Sequence, residues 1–214
     1  MAELTIEEEN NFLYEILTEA ERGAIENALK AVKPWDHKQF QQPNITLLVS
    51  VKQKLKDFHN ERTNFNCCYC RRSLNDASIE TDREHIVPKS KFKNLSYSLF
   101  NLSVACKRCN MAYKKEKVDH IVNHASIETD LRNPERYLIP HPNIDVYEEH
   151  LERFSIQFAS KEVTSYKINS PKGQFLYEFV KLRHLCVKEF DVLQGGNDIR
   201  EPILLELGIP LEGI

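Results

Sequence analysis

The sequence predicts an α+β fold: a strand–strand–helix unit between an N-terminal helical arm and a C-terminal extension built from a hairpin and a helix. Three observations predict it. Apolar residues recur at helical spacing up to about residue 59, and two Cys-x2-Cys pairs with short β-branched runs between them occupy 67–109. Strict apolar alternation then appears only after residue 150. The divisions this implies are 1–62 for the arm, 63–126 for the core and 127–214 for the extension.

The arm opens on Thr5-Ile6-Glu7-Glu8, a capping-box pattern in which a Thr hydroxyl and a Glu carboxylate satisfy each other's backbone amides. Phe12, Leu13, Ile16, Leu17, Ala20, Ala24, Ile25, Ala28 and Leu29 continue at helical spacing, which predicts one helix to about Val32, stopped by Lys33-Pro34. After a loop through Pro43, Leu48, Val51, Leu55 and Phe58 mark a second helix over roughly 46–59. Both read as a scaffold or docking layer.

In the core, Cys67-Cys68-Tyr69-Cys70 reads as a tight knuckle, repeated in spacing by Cys106-x2-Cys109. Two matched pairs predict a closed tetrahedral site of four thiolates, Cys67, Cys70, Cys106 and Cys109, holding a structural zinc with no open position for chemistry. Cys68 breaks the symmetry and reads as a bystander. Glu84-His85-Ile86-Val87-Pro88 reads as a strand end, Leu99 to Ala105 as the returning strand, and Cys109 to about Glu116 as a helix start. So short a unit has a small core, and zinc supplies what that core lacks. Beyond it, 119–125 is expected to continue helically. Phe154-x-Ile156-x-Phe158 and Tyr166-x-Ile168 predict a hairpin, and Ser170-Pro171 opens a helix expected over 172–192. Gly195-Gly196 reads as a break before a short helix near 198–207.

Composition narrows the function. Hydrophobic residues make up 41% of the 214, enough for a core, and no apolar run reaches the ~18 residues of a membrane span. The acidic N-terminus does not fit a secretory signal. Clustered cysteines fit metal binding in a reducing cytoplasm better than a disulfide framework. The net charge of −3 conceals an asymmetry: residues 1–26 carry eight Glu and one Arg, whereas 67–117 carry eleven Lys or Arg against five Asp or Glu. Nucleic-acid binding needs a local basic face, and this one coincides with the cysteine motif. Lys89, Lys91, Lys93, Lys107, Arg108, Lys114, Lys115 and Lys117 are the expected phosphate contacts. Nothing reads as base-edge recognition. The acidic first helix is expected to face a protein partner or solvent.

Hydrolysis of a phosphodiester requires a group that takes a proton from water and a group that neutralises the developing charge. The His85 imidazole suits the first task, and a hard divalent cation on oxygen ligands suits the second. Asn101 can pin the loop that carries the His, because its amide both donates and accepts. Asn110, directly after Cys109, can offer an amide oxygen to a cation. As isolated residues, each Asn reads equally as a turn or capping residue, and a Glu-His dipeptide as a surface pair. His120 and His124 form an i, i+4 pair best read as an ordinary helix face after the motif. His141 carries no signal, and Cys186 reads as a buried core residue.

The run C67CYC70, E84HIVPKS90, N101L and C106KRCN110 resembles the HNH endonucleases, the ββα-metal nucleases, in the variant with Asn in the third position. The resemblance covers about fifty residues. It implies that His85 is the general base, that Glu84 and Asn110 hold a catalytic Mg²⁺ or Mn²⁺, and that Asn101 orients the site. Its expected substrate is DNA. Stand-alone proteins of this kind, with helices on both sides of the motif, resemble the nuclease subunits of bacterial anti-phage systems such as Septu. That analogy implies an ATPase partner subunit, reached through the arm or the extension. The alternative class is a non-catalytic, zinc-stapled module that binds nucleic acid or a partner; it keeps the cysteines and has no need of Glu84, His85 and Asn110 together.

Overall fold

A computed structural model describes residues 3–75, 79–158 and 161–186. The expected break at Gly195-Gly196, the short helix near 198–207 and the last part of the helix over 172–192 lie outside these residues. Among these residues the architecture is α+β: helices and two small antiparallel sheets, with the four motif cysteines clustered together. No helix among the described residues is long and apolar enough to cross a membrane.

The arm differs from the single helix expected. The Thr5 hydroxyl accepts from the Glu8 amide, and the Glu8 carboxylate accepts from the Thr5 amide at 2.8 Å, which starts helix α1 (Ile6–Asn11) as predicted. A π-helical turn follows (Phe12–Ile16), and Leu17 leaves helical conformation at φ −87°, ψ 133°. Thr18 then starts α2 (Glu19–Leu29) with a second capping box to Glu21. Thr18-x-x-Glu21 repeats the Thr5-x-x-Glu8 pattern, so the restart is written in the chain; continuous apolar periodicity hid it. Helix α3 (Asn44–Arg62) is longer than the expected 46–59. Leu4, Phe12, Leu17, Ala24, Ala28, Leu48, Val51 and Leu55 share a core with Tyr97, Leu99, Phe100 and Leu102, so the arm is fastened to the loop and strand behind the motif.

Strand β1 (Thr81–His85) pairs antiparallel with β2 (Leu102–Cys106), setting Thr81 opposite Cys106 and His85 opposite Leu102. β1 ends at His85 where the strand end was expected to run to Pro88, and β2 begins at Leu102 where Leu99 was expected, because 86–101 forms a loop with a 3₁₀ turn at Lys93–Leu95. The helical element after β2 is a π-helical turn (Arg108–Lys114), ended by Lys115 at φ 52°. The predicted helical continuation over 119–125 does not form. Ile121 instead bridges Tyr137, and a 3₁₀ stretch occupies His124–Thr129.

The hairpin forms where alternation predicted it: β3 (Leu151–Phe158) pairs with β4 (Lys161–Ile168), Leu151 opposite Ile168. Helix α4 (Pro171–Phe179) is capped by Ser170 and stops well short of 192, at Val180 and then Lys181 in left-handed conformation. At Gly173 a Cβ would lie 1.9 Å from the His150 carbonyl oxygen, so only Gly lets α4 approach that turn. The extension also holds the first knuckle. Tyr147 donates its hydroxyl to the Tyr69 carbonyl at 2.9 Å, and Tyr166 donates to that of Cys70 at 2.7 Å.

Three buried imidazoles tie loops to this frame. His59 Nε2 meets the Leu99 carbonyl at 3.1 Å, and His120 Nε2 meets that of Ile86 at 2.9 Å. His141 stacks on Phe100 with ring centroids 5.0 Å apart. Burial lowers His59 and His120 to about 3 and His141 well below its ordinary value. The unfolded chain therefore binds protons that the folded chain refuses. Their contribution is complete above pH ~6.5 and is lost as pH falls from there toward 3. Each costs up to about 1.4 kcal/mol per pH unit in that window. Denaturant midpoints should drop steeply between pH 6.5 and 5; a flat profile there would contradict neutral burial of these rings.

Candidate active site and metal centre

The four knuckle cysteines converge. The ligand sulfurs of Cys67, Cys70, Cys106 and Cys109 all lie within 4.8 Å of one another, and all four residues are buried. Zn–S bonds of about 2.3 Å space tetrahedral sulfurs about 3.8 Å apart, and Cys70 Sγ and Cys106 Sγ are 3.8 Å apart. The backbone places them. Cys67 N–H donates to the Arg72 carbonyl, and Arg71 turns the chain at φ 55°. Cys106 ends β2 and Cys109 lies in the turn that follows. The donor set and spacing fit a structural zinc. Cys68, expected to be a bystander, is buried outside this group.

Glu84 and His85 end β1, both nearly inaccessible. His85 Nε2 lies 3.0 Å from the Ser96 carbonyl oxygen. That acceptor puts the ring proton on Nε2 and leaves the Nδ1 lone pair for another proton. Burial, then the charges of Lys89, Lys114 and Lys52, hold its pKa well below the ordinary imidazole value, so the ring is neutral at pH 7. Trp35, from the arm, stands edge-on to it with centroids 4.5 Å apart.

Asn101 has no accessible surface. Its amide oxygen accepts from Val87 N–H at 2.8 Å. Its NH₂ donates to the Val87 and Leu95 carbonyls at 3.0 and 3.2 Å. It thereby ties Val87 to Leu95 within the 86–101 loop, which also contains Ser96. Asn110 donates to the Asp82 carboxylate at 3.2 Å. Asp82 and Glu84 share a face of β1, two residues apart.

Glu84 Oε1 accepts from the Tyr69 hydroxyl at 3.0 Å and from Lys114 Nζ at 2.6 Å. This is where the structure corrects the sequence reading of Lys114. Expected on the basic phosphate-binding face, it is buried beside Glu84 and also donates to the His85 carbonyl. The π-helical turn draws it inward. With both charges removed from water, each needs the other. Desolvation raises the Glu84 pKa, opposed by Lys114 and by the Tyr69 hydrogen bond. For a cation, the available groups are the Glu84 and Asp82 carboxylates and the Asn110 amide oxygen. These are hard oxygen donors of the kind Mg²⁺ takes.

A cleft of about 340 Å³ brings Glu84, His85 and Asn110 to one opening, with Lys89, Lys114, Lys115 and Glu116 around it. Lys89, Lys91, Lys93, Lys107, Lys115 and Lys117 are exposed. Two of the expected phosphate contacts are already engaged: Lys107 pairs with Glu80, and Arg108 donates to the Lys181 carbonyl while covering the Tyr113 ring. His120 and His124 do not share a helix face; the first is buried on Ile86 and the second is exposed. Sequence reasoning missed Asp82, Tyr69, Ser96 and Trp35. Only Asp82 left a signal, as an acid two residues before Glu84 on the same strand face. Several arm glutamates are paired within the chain: buried Glu21 with Lys54, and the more exposed Glu8 with Arg62 and Glu9 with Arg132.

Residues 67–116 match the HNH endonuclease family model. Over 50 residues the chain is 40% identical to Septu protein PtuB of Bacillus thuringiensis, a match covering 23% of this chain and 20% of that protein. The matched segment thus spans about a fifth of that relative. No solved structure matches the chain.

Proposed function

We propose, from the HNH endonuclease match over 67–116, that the chain is a DNA endonuclease. The observation that carries this is the cleft in which a neutral, oriented imidazole (His85) faces the same opening as Glu84 and Asn110. In this reading His85 Nδ1 takes the proton of the attacking water, and its Nε2–H stays on Ser96. Glu84 and Asn110, with Asp82 beside them, hold a Mg²⁺ or Mn²⁺, which when bound supplies positive charge at the phosphate and leaving oxygen. Asn101 keeps the 86–95 loop, and with it the imidazole, in place. The exposed Lys89, Lys91, Lys93 and Lys115 contact phosphates without reading bases, and the zinc cluster holds the frame.

The 40% identity over 50 residues to a Septu protein supports a Septu-like defence setting; the resemblance to such systems implies an ATPase partner subunit as the docking neighbour of the arm or the extension. The test is cleavage of supercoiled plasmid by the zinc-loaded chain, with that ATPase supplied. Nicked or linear product is expected with Mg²⁺ or Mn²⁺ and none when the added cation is omitted. Equal cleavage without the cation would sink the proposed cation site, and no cleavage under any cation would sink the nuclease reading.

A further inference from the structure

A second cavity, of about 690 Å³, adjoins the cleft and is twice its size. Arg83, Lys89, Ser90 and Glu116 line both. Its other walls come from the arm, through the Val32–His37 segment with Trp35 among them and Lys52 of α3, and from Ser96. Lys33, Lys52, Arg83 and Lys89 face it against Asp36 and Glu116, so its lining carries a positive excess.

We propose that this cavity is a subsite for one unpaired nucleotide of the DNA strand, adjoining the phosphate to be cleaved. The inference rests on the nuclease reading above and adds a substrate class to it. A strand crossing the cleft must continue past His85, and the Trp35 indole touches that imidazole at the boundary between the two spaces. The volume lies in the ~300–1,000 Å³ range of pockets that enclose a small organic group. An aromatic wall with surrounding cations is the chemistry that single strands use, bases against rings and phosphates against ammonium or guanidinium groups. Lys52 lies over one face of the indole, 4.5 Å from its centroid, and the Tyr97 ring is tilted against it at 5.0 Å, so no more than one base has room against this half-buried ring. A paired duplex keeps its bases stacked inside and presents phosphates on a convex surface. It fills such a recess only after a base leaves the stack, at an unpairing cost. The arm is then part of the substrate site and more than a docking layer.

Trp35 is the single tryptophan of the chain, so intrinsic tryptophan fluorescence reports on this cavity and on its border with the cleft at His85. The full zinc-loaded chain is titrated, with no added Mg²⁺ or Mn²⁺, with a short single-stranded oligodeoxynucleotide and with the same sequence as a blunt duplex. Binding is followed in parallel by anisotropy of an end label. The single strand is expected to quench Trp35, shield it from acrylamide and bind roughly tenfold or more tightly than the duplex. Lys33→Glu, a change at an exposed lysine on the rim, should weaken single-strand binding several-fold and spare duplex binding. Binding seen by anisotropy with Trp35 unchanged would overturn the subsite and leave the nuclease reading standing. Equal quenching by the duplex would overturn the preference for an unpaired nucleotide. No binding of either probe would overturn both.

Discussion

Replacing His85 by Ala is expected to lower DNA cleavage by about 10²–10⁴-fold, the usual cost of losing a general base. The ring is neutral, its Nε2 side is committed to Ser96, and it opens on the cleft shared with Glu84 and Asn110. Because His85 is buried against Trp35, the variant must also be shown to fold: unchanged zinc content, circular dichroism and DNA binding are the controls. A folded His85→Ala protein that cleaves like wild type would place the base elsewhere.

Loss of a zinc ligand is expected to have the largest structural effect. Four thiolates bind zinc with an apparent ~10–16 kcal/mol in small sites, comparable to or above the ~5–15 kcal/mol stability of a typical domain. Here the damage should spread beyond the knuckles. The cysteines share one core with Ile86, Tyr147, Tyr166 and Leu176, and the extension's tyrosines bond to the first knuckle's backbone. Cys70→Ser or Cys109→Ser should therefore remove the single tightly held zinc and unfold both the ββα unit and the hairpin that braces it. Cys68→Ala, outside the cluster, should keep the metal. Metal analysis with thermal melts decides this; a zinc-free but natively folded Cys109→Ser protein would contradict it.

What the sequence disclosed follows from how local each signal was. The knuckles, the β1–β2 pair and the β3–β4 hairpin depend on spacing and alternation within a few residues; knuckles and hairpin stand where those patterns put them, and β1 and β2 pair with their bounds shifted to 81–85 and 102–106. The bonds of Asn101 to Val87 and Leu95 need an amide that both donates and accepts, a property of the residue type itself. The arm's break at Leu17 was also local, but the uninterrupted apolar period outweighed the second capping box. Lys114 was misread because a π-helical turn shifts which face a residue presents, and nothing in a lysine-rich run marks one lysine for burial. Trp35 and Ser96 reach the site through tertiary contacts: the first across the arm's shared core, the second through a backbone carbonyl that any residue could have supplied.

The chemistry of the cut ends tests the central claim most directly. If His85 activates water for attack on phosphorus and the 3′-oxygen leaves, plasmid nicked by the zinc-loaded chain with Mg²⁺ and the proposed ATPase partner carries 5′-phosphate and 3′-hydroxyl ends. DNA ligase should then reseal it without further treatment. Nicks that resist ligation until a 3′-phosphate is removed would show that a different bond breaks, and would contradict the proposed roles of His85, Glu84 and Asn110.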